Sequence, residues 1–179
     1  ISWLQMIWTS ICLSLFRRII NAGFIAEACL VPNSKTILSF IRRHIGKDAI
    51  PTLCDAPNLT PFGSCRICSV DVSFVKDGEV KTHASCHTPV AEGSYIYPDT
   101  KRIRNLRKNI VELILTDHPD DCVSCELDNN CELQNVIVLT GLKHVRYPSG
   151  RNHFDKSKDI GHSYMVSDLS KCIYCFRCV

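Results

Sequence analysis

The sequence predicts an α+β chain, with strands around one helix in its first half and helices in its second. Three observations predict it. Cys68, Val70, Val72 and Phe74 alternate with Ser69, Asp71 and Ser73, the pattern of a half-buried strand. Asp77-Gly78 then turns the chain into a second strand, from Glu79 to about Ser85. Beyond Pro98 the apolar spacing becomes helical, with Ile103, Leu106, Ile110 and Leu113 on one face.

Taken in order, residues 1–16 are uncharged and mostly apolar, but fall short of the ~20 residues that a membrane span needs. A signal peptide carries its charge before the apolar run, whereas Arg17 and Arg18 follow this one. With no initiator Met, the expectation is a fragment with an unassigned apolar leader. Residues 17–31 alternate around Ala22-Gly23 and suggest a hairpin, and Pro32-Asn33-Ser34 a turn. Thr36 to about Ile45 reads as a helix closed by Gly46. Residues 51–64 carry three prolines and a glycine, hence a loop. The first domain is expected to span 17–97.

The next, 98–145, opens with a helix capped by Asp99 or Thr100 and running to about Thr116. Lys101, Arg102, Arg104, Arg107 and Lys108 crowd its first half, which reads as a solvated face. A second helix is expected from Glu132 to Thr140, stopped by Gly141. Residues 146–162 are rich in turn formers and read as a linker, leaving 163–179 as a last short segment.

Composition narrows the function. A net charge of +3 over 179 residues argues against a dedicated nucleic-acid binder. Of twelve cysteines, ten fall into three tight groups, and only Cys12 and Cys29 stand apart as expected buried thiols. Repeated Cys-x-x-Cys units in a chain of this size point to metal or redox chemistry in a reducing, cytoplasmic setting rather than to disulfides. There is no dinucleotide or nucleoside-triphosphate motif, and no nucleophile–base pairing that would mark a catalytic site.

The first group is Cys54-x10-Cys65-x2-Cys68-x17-Cys86. Structural zinc usually takes two close ligand pairs, whereas one pair flanked by single cysteines suits a [2Fe–2S] centre. Such a centre is anionic, and Gly63-Ser64 can aim backbone N–H groups inward. The first gap is longer than the plant-type spacing. The second group is His118-x3-Cys122-x2-Cys125-x5-Cys131, which by itself suits zinc as well as a cluster. Pro119 suggests that a helix ends at His118, and an imidazole ligand would raise a cluster's potential. The third, Cys172-x2-Cys175-x2-Cys178, is the most specific, being the opening of the bacterial ferredoxin run. These three cysteines make a partial [4Fe–4S] site whose fourth ligand lies elsewhere. His44, His83, His144, His153 and His162 lack ligand spacing, and His87 beside Cys86 is expected to face solvent.

In this order the groups resemble the N-terminal iron–sulfur region shared by three kinds of redox enzyme. These are the large iron–sulfur subunit of respiratory complex I, NAD-linked [FeFe]-hydrogenases and NAD-dependent formate dehydrogenases. IPTLCDAPNLTPFGSCRICSVDV and ASCHTPVAEG resemble the [2Fe–2S] domain of that group, DHPDDCVSCELDNNCELQ its segment with one histidine and three cysteine ligands, and SDLSKCIYCFRCV the start of its ferredoxin-like domain. The likeness runs from about Arg17 onward, and the longer first gap belongs to it.

The resemblance implies a β-grasp [2Fe–2S] ferredoxin-like domain, a helical segment holding a [4Fe–4S] cluster on His118, Cys122, Cys125 and Cys131, and the opening of a bacterial ferredoxin-like domain. It implies an electron carrier, working with a downstream catalytic domain of the same polypeptide and an NAD- and flavin-binding iron–sulfur subunit. Membrane contact would be indirect, through a complex of the complex I kind. The stretch VRYPSGRNHFDKSKD resembles the formate dehydrogenase branch, which would place molybdopterin downstream. The expectation of a different class is a structural zinc module for protein interaction.

Overall fold

The computed structural model describes residues 26–27, 36–150 and 158–178. The leader, the turn at residues 32–34, Cys12, Cys29, His153 and the hairpin of residues 17–31, apart from Ala26–Glu27, lie outside the described residues. The chain divides into two compact units, one of residues 1–50 and 68–104, the other of 51–67 and 105–179.

The first unit is α+β. Its strands are β1 (Ala26–Glu27), β2 (Ser69–Ser73), β3 (Lys81–Ala84) and β4 (Tyr95–Tyr97), ordered β1-β4-β2-β3 in an antiparallel sheet. Its helix α1 spans Ile37–His44. Thr36, expected as the first residue of the helix, caps it instead: its Oγ1 accepts the Ser39 N–H at 3.2 Å, and Arg42, Arg43 and His44 place basic groups at the negative C-terminal end. Ile37, Leu38, Phe40 and Ile41 recur at helical spacing and bury one face of α1 in a core with Ile50, Val70, Val72, Val90 and Ile96.

Two details of the sheet differ from expectation. Strand β2 is buried at all five positions, not on alternate ones: Val70 and Val72 enter the core with α1, while Asp71, on the opposite face, is covered by Thr82, Thr100 and Arg102. Phe74, expected on its apolar face, lies past its end and is 70% exposed. A central polar strand requires a partner for each polar group. Asp71 is 1% exposed, and it accepts hydrogen bonds from Thr82 Oγ1 at 3.0 Å and Thr100 Oγ1 at 3.2 Å while pairing with Arg102. Strand β4 carries no run long enough to be read as a strand from sequence; pairing to β2 at Val72–Ile96 makes it one.

Helix α2 spans Lys101–Thr116, and Thr100 rather than Asp99 caps it, Oγ1 accepting the Ile103 N–H at 3.1 Å. Asp99 instead pairs with Arg104 at 2.9 Å. The buried face is rotated from the expected one. Ile103, Arg107, Val111 and Glu112 are buried, and Leu113 is 56% exposed. The charge run is therefore not a uniform solvated face. Arg107 is buried with Nε donating to the Ile67 carbonyl at 3.1 Å, and only its neighbours reach solvent.

In the second unit α3 (Glu132–Thr140) ends at Gly141, which is left-handed at φ 64° and donates its N–H to the Ile137 and Val138 carbonyls, as expected. Leu53, Ile67, Val111, Leu133 and Val136 form its core. Buried Glu112 is held by Arg146, whose guanidinium reaches Oε2 at 2.6 Å and whose N–H also bonds the carboxylate. That contact holds the Glu112 carboxyl below the usual range, so it stays charged inside the unit. It also anchors the start of the expected linker, which is irregular where described. No described helix is long and apolar enough to cross a membrane.

The rotated face of α2 sets a test. Ile103→Ala should cost about 2–5 kcal/mol of unfolding free energy, and Leu113→Ala within about 0.5 kcal/mol. Chemical denaturation of the two variants checks this, and equal losses would restore the expected face.

Candidate metal centres

The first cysteine group is distributed between the units, two thiols in each. In the second unit Cys54 and Cys65 are close enough to interact through charge. Burial pushes the Cys65 thiol up to about 11, and Cys54 adds to that; the N–H groups of Ile67, Cys54 and Leu53 act the other way. In the first unit Cys68 and Cys86 belong to the apolar core and their side chains hydrogen-bond each other. That bond, with help from the Cys86 and Ser85 N–H groups and the Ser85 side chain, pulls the Cys68 thiol down to about 6 against the opposing effect of burial. Ser85 Oγ also donates to the Cys68 carbonyl at 2.7 Å, which ties the two segments together. Each pair taken by itself, two thiols among backbone donors, suits one iron, which takes two thiolates while N–H groups offset the added charge.

The second group lies on one run of the second unit. His118 follows the end of α2, its N–H donating to the Leu115 carbonyl at 3.3 Å. Cys122 opens a single helical turn to Ser124, Cys125 donates its N–H back to the Cys122 carbonyl at 3.1 Å, and Cys131 stands at the N-terminal cap of α3. Cys125 and Cys131 are half-buried and Cys122 is exposed. Among the described residues no three His, Cys, Asp or Glu side chains converge tightly enough to hold one metal ion. A cluster asks for a different layout, since it spreads its ligands over several irons with one or two protein ligands each. The third group follows the same pattern. Cys172 accepts the Tyr174 N–H at 3.4 Å, Arg177 Nε lies 3.3 Å from Cys175 Sγ, and Cys178 is exposed.

Backbone shape links the three loops. Of the five non-glycine residues with positive φ among the described residues, Arg66, Asn129, Tyr174 and Phe176 lie within or beside a cysteine group, and only Asp77 belongs to a hairpin turn. Left-handed residues turn successive N–H groups to the same side, which makes a donor nest for an anion. Such strain is kept where function needs it. Gly63, at φ 74°, was the legible member of this set. Arg66, Tyr174 and Phe176 were missed, because nothing in their residue types favours that conformation.

Four of the remaining described histidines are exposed and one is half-buried. His87 is exposed with Nδ1 3.2 Å from the Ala84 carbonyl, and His44, His144 and His162 are exposed. His83 is half-buried on β3.

Residues 26–101 match the family model described as a 2Fe-2S iron-sulfur cluster binding domain. Residues 107–146 match that of the NADH-ubiquinone oxidoreductase-G iron-sulfur binding region. The G subunit of NADH-quinone oxidoreductase from Escherichia coli K12 is 36% identical over 161 residues, which is 89% of this chain and 16% of that protein. Its counterpart of the same name from Buchnera aphidicola is 39% identical over 133 residues, 73% of this chain and 14% of its own length. The chain thus spans about a sixth of the relatives it matches. The crystal structure of an NAD+-reducing [NiFe]-hydrogenase in the H2-reduced state superposes with a TM-score of 0.71 at 24% identity, covering 84% of this chain and 60% of that one. That likeness establishes the fold.

The lowered Cys68 thiol is open to direct test. Ultraviolet titration of the metal-free chain should register a thiolate already formed at neutral pH, because its pKa lies near 6. The Cys68→Ser variant should lose that signal and Cys65→Ser should keep it; a neutral-pH spectrum without thiolate would contradict the assignment.

Proposed function

Because this chain carries the iron–sulfur region found in NADH-quinone oxidoreductase, with binding domains for both [2Fe–2S] and [4Fe–4S] clusters, we propose that it relays single electrons within an NAD-linked oxidoreductase. The observation that carries the reading is the pairing of thiols, Cys54 with Cys65 and Cys68 with Cys86, each among backbone donors. When bound, the clusters supply reversible one-electron chemistry.

The chain's own residues hold and tune them. Cys54, Cys65, Cys68 and Cys86 are the ligands of the [2Fe–2S] centre, one pair to each iron, in a domain of the β-grasp ferredoxin kind. His118, Cys122, Cys125 and Cys131 hold a [4Fe–4S] cluster, and Cys172, Cys175 and Cys178 contribute to a further one. Cys65 and Cys131 pack against the apolar core of Leu53, Ile67, Val111, Leu133 and Val136. N–H groups aimed at sulfur favour the reduced, more negative state, and a neutral imidazole at His118 does the same. No catalytic residue is assigned to this chain. Substrate chemistry belongs to a downstream domain and to an NAD- and flavin-binding partner.

The relatives favour NADH as the electron source, within an assembly of the NADH-quinone oxidoreductase kind. The stretch from Val145 to Asp159 favours a second reading, formate dehydrogenase with molybdopterin downstream. The two separate cleanly in the native assembly captured through this chain. NADH should develop the clusters' reduced EPR signals and formate should not; signals with formate alone would reverse the order.

For the chain itself, anaerobic reconstitution should give about six irons and six sulfides, from one [2Fe–2S] and one [4Fe–4S] centre, with further iron if the third group fills. Zinc without labile sulfide would replace the reading with a structural zinc module. Cys65→Ser and Cys68→Ser should each abolish the [2Fe–2S] signal. His118→Cys should keep a cluster and lower its potential; an unmoved potential would remove His118 from the ligand set.

A further inference from the structure

The second and third cysteine groups are joined by charge. Lys171, immediately before Cys172, places Nζ 2.9 Å from Asp121 Oδ2 and 3.2 Å from Oδ1, and Asp121 immediately precedes Cys122. Arg177, between Cys175 and Cys178, lies 2.5 Å from Glu132 Oε2, and Glu132 immediately follows Cys131. The cations come from the third group, and the anions flank the second. Ile173 packs on the same apolar cluster as Cys131, so the two segments also share buried surface. The side chains of Lys171 and Arg177 are 26% and 29% exposed, unlike free surface charges.

Ion pairs with one exposed partner add little stability, about 0–1 kcal/mol each, so stability is a weak reason for two of them here. Their position beside ligand sulfur is a better one. Arg177 Nε reaches Cys175 Sγ at 3.3 Å while its Nη2 holds Glu132, a double contact suited to the forked guanidinium. Lys171 Nζ, held by Asp121, also hydrogen-bonds the Cys125 thiol, so the cation stands between carboxylate and sulfur.

We propose that Lys171 and Arg177 are positioning residues that clasp the third cysteine group to the loop bearing the second and set the potentials of the centres they touch. The proposal rests on the iron–sulfur reading above. One-electron reduction adds one negative charge to a centre and spreads it onto the ligand sulfurs. A fixed cation at hydrogen-bond distance stabilises the reduced state more than the oxidised one and raises the potential. The paired carboxylates aim the cations and offset part of their effect.

The test is an EPR-monitored redox titration of the full chain, reconstituted anaerobically with iron and sulfide. Lys171→Gln should weaken reduction of the centre on His118, Cys122, Cys125 and Cys131 roughly tenfold, a fall of about 59 mV for one electron. Lys171→Arg should keep most of the parent potential, and Asp121→Asn should raise it. A potential unmoved in Lys171→Gln with its signal intact overturns the proposal, as does an equal fall in Lys171→Arg. If Lys171→Gln takes up no cluster, Asp121→Asn decides alone: a rise supports the proposal, and no shift or a fall overturns it. A parent chain without labile sulfide would instead overturn the iron–sulfur reading itself.

Discussion

Thiolates held close together inside protein are the constraint on which the rest of this chain depends. Burial disfavours a charged sulfur, and a second sulfur beside it disfavours it further. The opposite shifts of Cys65 and Cys68 show both sides of that balance, the first dominated by burial and the second by a hydrogen bond from its neighbour. Backbone N–H groups are the local remedy, and they can be aimed only if the loop adopts conformations that ordinary side chains resist. Hence Arg66, Asn129, Tyr174 and Phe176 occupy the left-handed region beside cysteines.

Loops in such conformations need firm supports, and the supports are themselves partly polar. Asp71 ties β2 and β3 to the start of α2 through Thr82, Thr100 and Arg102, and Thr100 is at once partner to that carboxylate and cap of the helix. Arg107 fixes the carbonyl of Ile67, the residue between Arg66 and Cys68. Glu112 anchors Arg146, where the chain leaves α3 for its irregular stretch. Each of these buried charges has its partner, as a low-dielectric interior demands. Asp71 and Arg107 also fasten segments beside Cys68.

Much of this was legible. The grouping of ten cysteines, the glycine stop of α3 and the approximate extent of α1 all follow from residues close in sequence. The half-buried reading of β2 failed because alternation marks a strand with one wet face, and on β2 the polar face is covered by Thr82, Thr100 and Arg102 around Asp71. The apolar face of α2 was misread because Arg107 and Glu112 sit on its buried side, where charge normally argues against burial. Strand β4 is three residues long and acquires its conformation from pairing with β2.

The sequence by itself determined the chemistry on offer: thiolate and imidazole ligands, their intervals, and helix ends set by capping and glycine, all interactions within a few residues. Only the tertiary structure decided which sulfurs meet, which charges are buried and which cations stand beside them. Cys68 meets Cys86 because β2 and β3 pair, and Lys171 meets Asp121 across fifty positions of chain. Contacts of that range depend on how whole segments pack, and no local pattern encodes them.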